Sequence, residues 1–184
     1  MGYEIDKADV EILRGAGVSE DDIEHSVRVA RKAVEVAERT GASLDMELVC
    51  RGALFHDLGK SKTHAIEHGM LGAEIGQRIG LPEAITDIME KHIRGGLTPD
   101  EAVALGLPVK DYTLGKLEER VVIYSDRLVD IITDGIVDLG GDEHEAEARF
   151  EEILRGNVKY GKDDLTLARY LGYHAEIQRL MAGG

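Results

Sequence analysis

Along most of the chain apolar residues recur at spacings of three and four, with glycines between the blocks and prolines only at Pro82, Pro99 and Pro108. That period puts side chains on one face of an α-helix, so the pattern predicts an all-α fold. A short helix from Asp6 to Arg14 should end at Gly15 to Gly17. Ser19 with Asp22 three residues on then reads as the capped start of a long helix stopped by Gly41. Ser43 or Asp45 opens a helix expected to run to Gly59; further helices are expected from Glu67 to Gly80, from Pro82 to Ile93, and from Thr98 to Gly106. The stretch from Leu107 to Lys116 has no period and reads as a loop. Helices over 117–135, 142–155 and 163–181 complete the count, and no linker or repeat divides the chain.

Polar residues interrupt these stripes at particular places. His25 shares a spacing with Val29, Ala33 and Val36, and His56 shares one with Val49 and Ala53. His68 lines up with Leu71, Ile75 and Ile79, His92 with Ile85 and Ile88, and Asp126 with Val122 and Val129. A single buried histidine satisfied by a backbone carbonyl is ordinary. Two buried carboxylates, Asp57 and Asp126, are not, because an ionised carboxylate among aliphatic side chains costs several kcal/mol unless a cation compensates it. Four inward histidines and two aspartates therefore suit a site with two metals bridged by a carboxylate. His174 falls on a stripe as well, with Tyr170 and Ile177, so the stripe test alone over-predicts. His144, in GGDEHEAEAR, reads as a surface residue.

With 22 Lys and Arg against 36 Asp and Glu, the chain carries -14, a field that repels long nucleic acids and anionic membranes but permits a small anionic substrate in a locally cationic pocket. The single cysteine, Cys50, excludes an intramolecular disulfide and reads as a small buried hydrophobe. The N-terminal residues have no apolar signal segment and nowhere do about 18 apolar residues follow one another, so the expectation is a soluble, cytoplasmic protein.

The order of His25, then His56-Asp57 within GALFHDLGK, then Asp126 resembles the HD superfamily of metal-dependent phosphohydrolases. The similarity extends through IEHSVRVARKAVEVA and IEHGMLGAEIGQRIGLPEAITDIMEKH, covering roughly residues 20 to 135. It implies one domain over 1–184, an HD-domain helical bundle with the metal site in its core and helices over 142–182 packed on it. It also implies that His25, His56, Asp57 and Asp126 hold one metal. His68 and His92 occupy the places that add a second in two-metal members, with Asp57 bridging. Lys60 stands where mononuclear nucleotidases of this superfamily carry a glutamate, which argues against that subclass. The two-metal groups resembled more closely are the hydrolases of symmetrical dinucleoside tetraphosphates, the HD-GYP phosphodiesterases and the mixed-valent diiron oxygenases. The Gly-Tyr-Pro signature and adjacent His-His pair of the HD-GYP group are missing. The text from HIRGGLTPDEAVALG to YSDRL is similar to small stand-alone HD proteins found mainly in archaea.

What the resemblance implies is an enzyme. It would hydrolyse a phosphate ester or anhydride of a nucleotide or another small phosphorylated metabolite, with water activated at two divalent ions, drawn from iron, manganese, nickel, cobalt or zinc. Asp57 and Lys60 are the catalytic candidates. Arg28, Lys60 and Arg94 are the candidate phosphate-binding cations, and His64 and Glu67 the candidate outer-sphere or proton-transfer groups. Arg127, next to Asp126, is expected to face solvent. The segment from Arg94 to Lys116, with its Gly95-Gly96 pair, is expected either to cover the pocket or to be an ordinary surface excursion. Residues from Gly135 onward are expected to carry no chemistry. Two other functions use the same ligands: a diiron oxygenase acting on a polyol or phosphonate, and a non-catalytic metal-binding module.

Overall fold

The computed structural model describes residues 3–138 and 144–183. Among them the chain is helical with no strand: α1 (Lys7–Gly15), α2 (Glu20–Thr40), α3 (Met46–Phe55), α4 (His68–Arg78), α5 (Glu83–Lys91), α6 (Pro99–Ala104), α7 (Leu117–Thr133), α8 (Glu145–Ala148), α9 (Phe150–Gly156), α10 (Val158–Gly161) and α11 (Asp164–Met181). The expected caps form: the side chains of Asp6, Ser19, Asp45, Thr98 and Asp163 each accept from a backbone N–H in the first turn of the following helix. Gly41 ends α2 in the left-handed conformation that favours glycine.

Three expectations change. The helix begun at Asp45 does not reach Gly59 but stops at Phe55, and a 3₁₀ turn over Leu58–Ser61 follows. Neighbouring residues on one α-helix point about 100° apart, so the break is what lets both His56 and Asp57 face the same interior space. The helix expected over 142–155 is divided at Arg149 into α8 and α9, and its expected start at Asp142 lies outside the described residues. The short α10, with Asn157 as its cap, was not expected.

Helix α7 runs through the middle, packed against α2, α3, α8 and α11. Val121, Val122, Ile123, Tyr124 and Ser125 are all fully buried in succession, so this part of α7 has no solvent face. A small separate core of Ile93, Leu97, Ala102, Leu107 and Tyr112 lies under the segment after α5, where Leu97 and Tyr112 each donate a backbone N–H to the other's carbonyl. No helix among the described residues is long and apolar enough to cross a membrane.

Candidate metal centre

The six residues nominated by stripe and motif converge. His25 comes from α2, His56 and Asp57 from the break after α3, His68 from the first turn of α4, His92 from the end of α5, and Asp126 from α7. His56 and Asp57 are almost wholly buried, and His68 and His92 nearly so. The approach of α4 depends on glycine: a Cβ on Gly59 would lie 1.8 Å from the His68 carbonyl oxygen and 2.7 Å from the Gly72 nitrogen. The glycine of HDLGK thus lets α4 lie directly on the 3₁₀ turn and brings His68 to Asp57.

Three of the imidazoles are held in the same way. The Nδ1 atoms of His56, His68 and His92 donate to the carbonyls of Ala53, Ala65 and Met89 at 2.6, 2.7 and 2.7 Å, three residues back in each case. A carbonyl oxygen can only accept, so Nδ1 carries the proton and Nε2 of the neutral ring is left as a lone pair. The His68 and His92 Nε2 atoms are 2.9 Å apart, and they stand 3.2 and 3.4 Å from Asp57 Oδ1. Three acceptors at these separations with no proton between them repel one another unless a cation joins them. On the other side of the same carboxylate, Asp57 Oδ2 is 3.3 Å from His56 Nε2, 3.8 Å from His25 Nε2 and 2.7 Å from Lys60 Nζ. Asp126 Oδ1 lies 3.0 Å from His25 Nε2 and 3.5 Å from His56 Nε2, which is buried without a hydrogen-bond partner. These imidazole and carboxylate donors fit a divalent metal site of the transition series.

Without metal, protons have to supply the missing positive charge. Burial alone would lower the His56 pKa, yet Asp57 and Asp126 together raise it well above the ordinary 6.5. Burial likewise works against ionisation of Asp57 and Asp126, but His56 and the other imidazoles hold both well below 3.8. The signs are opposite. The carboxylates contribute stability that is present above 3.8 and lost as pH falls through their lower folded values; His56 contributes stability that is present below 6.5 and lost as pH rises through its higher folded value. The chelated protein should therefore lose thermal stability as pH rises past 6.5. A metal held here would take the deprotonated rings and so remove that loss. Melting curves of chelated and metal-loaded protein should diverge with rising pH, and a gap independent of pH would contradict this account.

The ligand atoms open into a chamber of about 330 Å³. Of the proposed cations, Lys60 and Arg94 line it, as does His64, which is largely exposed and bonds to Asp22 at 3.0 Å. Arg28 does not line it: the guanidinium is half exposed, pairs with Glu24, and borders a neighbouring groove with Asp21 and Thr133. Glu67 is exposed at the start of α4 and does not line the chamber. Of the segment from 94 to 116 only Arg94 lines the chamber, and Leu97, Ala102, Leu107 and Tyr112 close on a small core with Ile93.

Four polar chamber residues were missed, Arg127, Asp130, Lys162 and Tyr170, as were the apolar Ile66 and Ile93. Arg127 does not face solvent. It is buried with its guanidinium carbon 4.7 Å over the Tyr170 ring of α11, which packs against α7. Lys162 and Tyr170 correct the expectation that nothing beyond Gly135 carries chemistry. Burial and the neighbouring Asp126 push Asp130 up to about 6. His174 is half-buried and bonded to the Tyr124 hydroxyl at 2.7 Å, and His144, expected at the surface, is half-buried 3.2 Å from Glu35.

The HD domain family model matches residues 22–132, and the chain belongs to that family, a superfamily of metal-dependent phosphohydrolases. An uncharacterized protein of Methanocaldococcus jannaschii is 46% identical over 114 residues, which span 60% of this chain and 68% of that one. A tRNA (cytidine(56)-2'-O)-methyltransferase of Thermoplasma volcanium is 39% identical over 65% of this chain, but the match spans only 35% of that protein. The HD domain of the L. monocytogenes phosphodiesterase PgpH, solved in complex with cyclic-di-AMP, superposes with a TM-score of 0.65 at 17% identity, covering 95% of this chain and 93% of that one. This last likeness shows the all-α HD fold.

Proposed function

We propose that this chain, as one HD domain over 1–184, hydrolyses a phosphate ester or anhydride of a nucleotide or other small phosphorylated metabolite at a centre of two divalent ions. The observation that carries this reading is the Asp57 carboxylate, which turns Oδ1 to His68 and His92 and Oδ2 to His56 and His25, at the floor of an open chamber with cations on its walls. His25, His56, Asp57 and Asp126 would hold one ion, and Asp57, His68 and His92 the other. Bound there, such ions activate water and neutralise charge developing on the phosphoryl group.

The protein's own groups do the rest. The backbone carbonyls behind His56, His68 and His92 fix each ring in the tautomer that presents Nε2. Lys60 donates to Asp57 Oδ2, orienting the carboxylate while keeping its ammonium at the chamber wall, where a phosphoryl oxygen can reach it. His64, on the rim, is placed to exchange protons with solvent. The chamber is near the lower limit of ordinary ligand pockets, so it takes the phosphoryl group and what adjoins it while the remainder of a larger substrate lies outside. The net charge of -14 favours a small substrate over a long polyanion. The cyclic-di-AMP complex of the PgpH domain supports a nucleotide.

The test is elemental analysis of wild type and His92→Ala, followed by a phosphatase and dinucleotide screen with the metal found. The expected result is two ions per chain falling towards one in the variant, with phosphate release dependent on manganese or iron. One ion in both proteins would overturn the binuclear centre. Two irons without phosphate release, but with oxygen-dependent loss of a polyol or phosphonate, would establish the oxygenase instead. Two ions with turnover of neither kind would leave a metal-binding module.

A further inference from the structure

The chamber has two unlike walls. Imidazoles and the Asp57 and Asp126 carboxylates make one; the other, contributed by α7 and the residues just before and within α11, carries Arg127, Lys162 and Tyr170 together with one acid, Asp130. Arg127 is 8% exposed, and its bonds are weak for a buried guanidinium. Nη2 donates to the Tyr170 hydroxyl at 3.2 Å, Nη1 is 3.5 Å from Asp130 Oδ2, and the buried Nε has no partner at all. A buried cation whose ion pair is as long as 3.5 Å and whose Nε has no partner is incompletely compensated, and a tyrosine face and hydroxyl offset only part of that cost. Lys162 stands beside it in a left-handed backbone conformation, φ 61°, and forms no ion pair with an acid among the described residues. Burial together with the charges of Arg127 and Arg94 lowers its pKa. Arg94 itself is committed to Asp163 at 3.0 Å.

Two cations that repel each other, one paired only loosely with Asp130 and the other in no ion pair among the described residues, face a chamber whose opposite wall would hold metal and make a place for an anionic group. We propose that Arg127 and Lys162 form a second phosphate subsite, so that the preferred substrate carries two phosphate groups, one at the metal ligands and one here. A planar guanidinium with free N–H groups and a mobile ammonium match the oxygens of a phosphate. The inference rests on the hydrolytic reading for the position of the first phosphate; the anion affinity of the subsite does not depend on turnover.

The test is calorimetric titration with methylenediphosphonate and methylphosphonate, neither of which is hydrolysed at a P–O–P bond, on wild type, Lys162→Ala and Arg127→Lys. In metal-loaded wild type the diphosphonate should bind at least about tenfold more tightly than the monophosphonate, the worth of one charge-assisted contact. Lys162→Ala, at an exposed position, should remove most of that preference and change monophosphonate affinity by less than about twofold. Arg127→Lys, which keeps the charge but not the fork, should reduce the preference part of the way. In chelated protein, diphosphonate binding should weaken in both variants. An unchanged preference in Lys162→Ala and Arg127→Lys would overturn the subsite even if the enzyme turns over phosphate esters. A lost preference in a protein that hydrolyses nothing would uphold the subsite and sink the hydrolase.

Discussion

Asp57→Asn is expected to empty the centre. Asparagine has one acceptor oxygen and one amino group, so whichever way it turns, it presents N–H to a side where the carboxylate presents an oxygen. The two clusters share Asp57, with Oδ1 toward His68 and His92 and Oδ2 toward His56 and His25, so both should lose metal affinity together. The loss should exceed about 100-fold, the upper end of what removing an outer-sphere partner costs. A second effect appears in the metal-free protein. Lys60 Nζ, 2.7 Å from Asp57 Oδ2 and with a side chain only 22% exposed, loses its counter-charge, a change that typically destabilises by roughly 3 kcal/mol. Elemental analysis and chemical denaturation check the two parts separately. A variant that retained the wild-type metal load would remove Asp57 from its shared position.

Gly59→Ala should be nearly as damaging without touching a ligand. Its Cβ would meet backbone atoms, the His68 carbonyl and the Gly72 nitrogen, and backbone in a packed helix cannot rotate aside as a flexible side chain does. Helix α4 would have to withdraw, carrying His68 away from Asp57 Oδ1, now at 3.2 Å. A destabilisation of about 3 kcal/mol is expected, a fall of roughly 6–12 °C in Tm for a chain of this size, together with weaker metal binding. Gly15→Ala is the control, since its Cβ would meet nothing within 4 Å and α1 lies away from the chamber. It should melt within about 2 °C of wild type. Equal melting of the two variants would show that α4 adapts freely and that the glycine is not what positions His68.

Much of the centre could be read before any coordinates because its six residues obey local rules. His25 and Asp126 lie on helix stripes, and His56-Asp57 lies in a motif whose glycine has a steric reason visible only in three dimensions. The caps were legible because a side-chain acceptor at the start of a helix acts within three residues. Arg127 failed for a physical reason. An apolar stripe implies a polar face only for a helix with a solvent side, and the run VVIYS leaves that part of α7 none; its all-round apolar character was the available signal. Lys162 and Tyr170 reach the chamber through tertiary packing over a long sequence separation, and nothing local to them announces it. The chamber's acidic wall was therefore legible, while its cationic wall was largely not.

The turn after His92 has a consequence for how the molecule comes into being. Arg94, Gly95 and Gly96 are consecutively left-handed, with φ of 51°, 72° and 100°, and for the arginine that conformation costs about 1 kcal/mol. Two side chains of α11 hold it: Arg169 donates to the Arg94 carbonyl at 3.0 Å and the Tyr173 hydroxyl to the Gly95 carbonyl at 2.7 Å. A nascent chain therefore contains all six candidate ligands once residue 126 has been added, but the side chains that hold the turn following His92 arrive only with residues 169 and 173. The turn beside the candidate centre is thus secured late in synthesis, nearly fifty residues after Asp126 has been added.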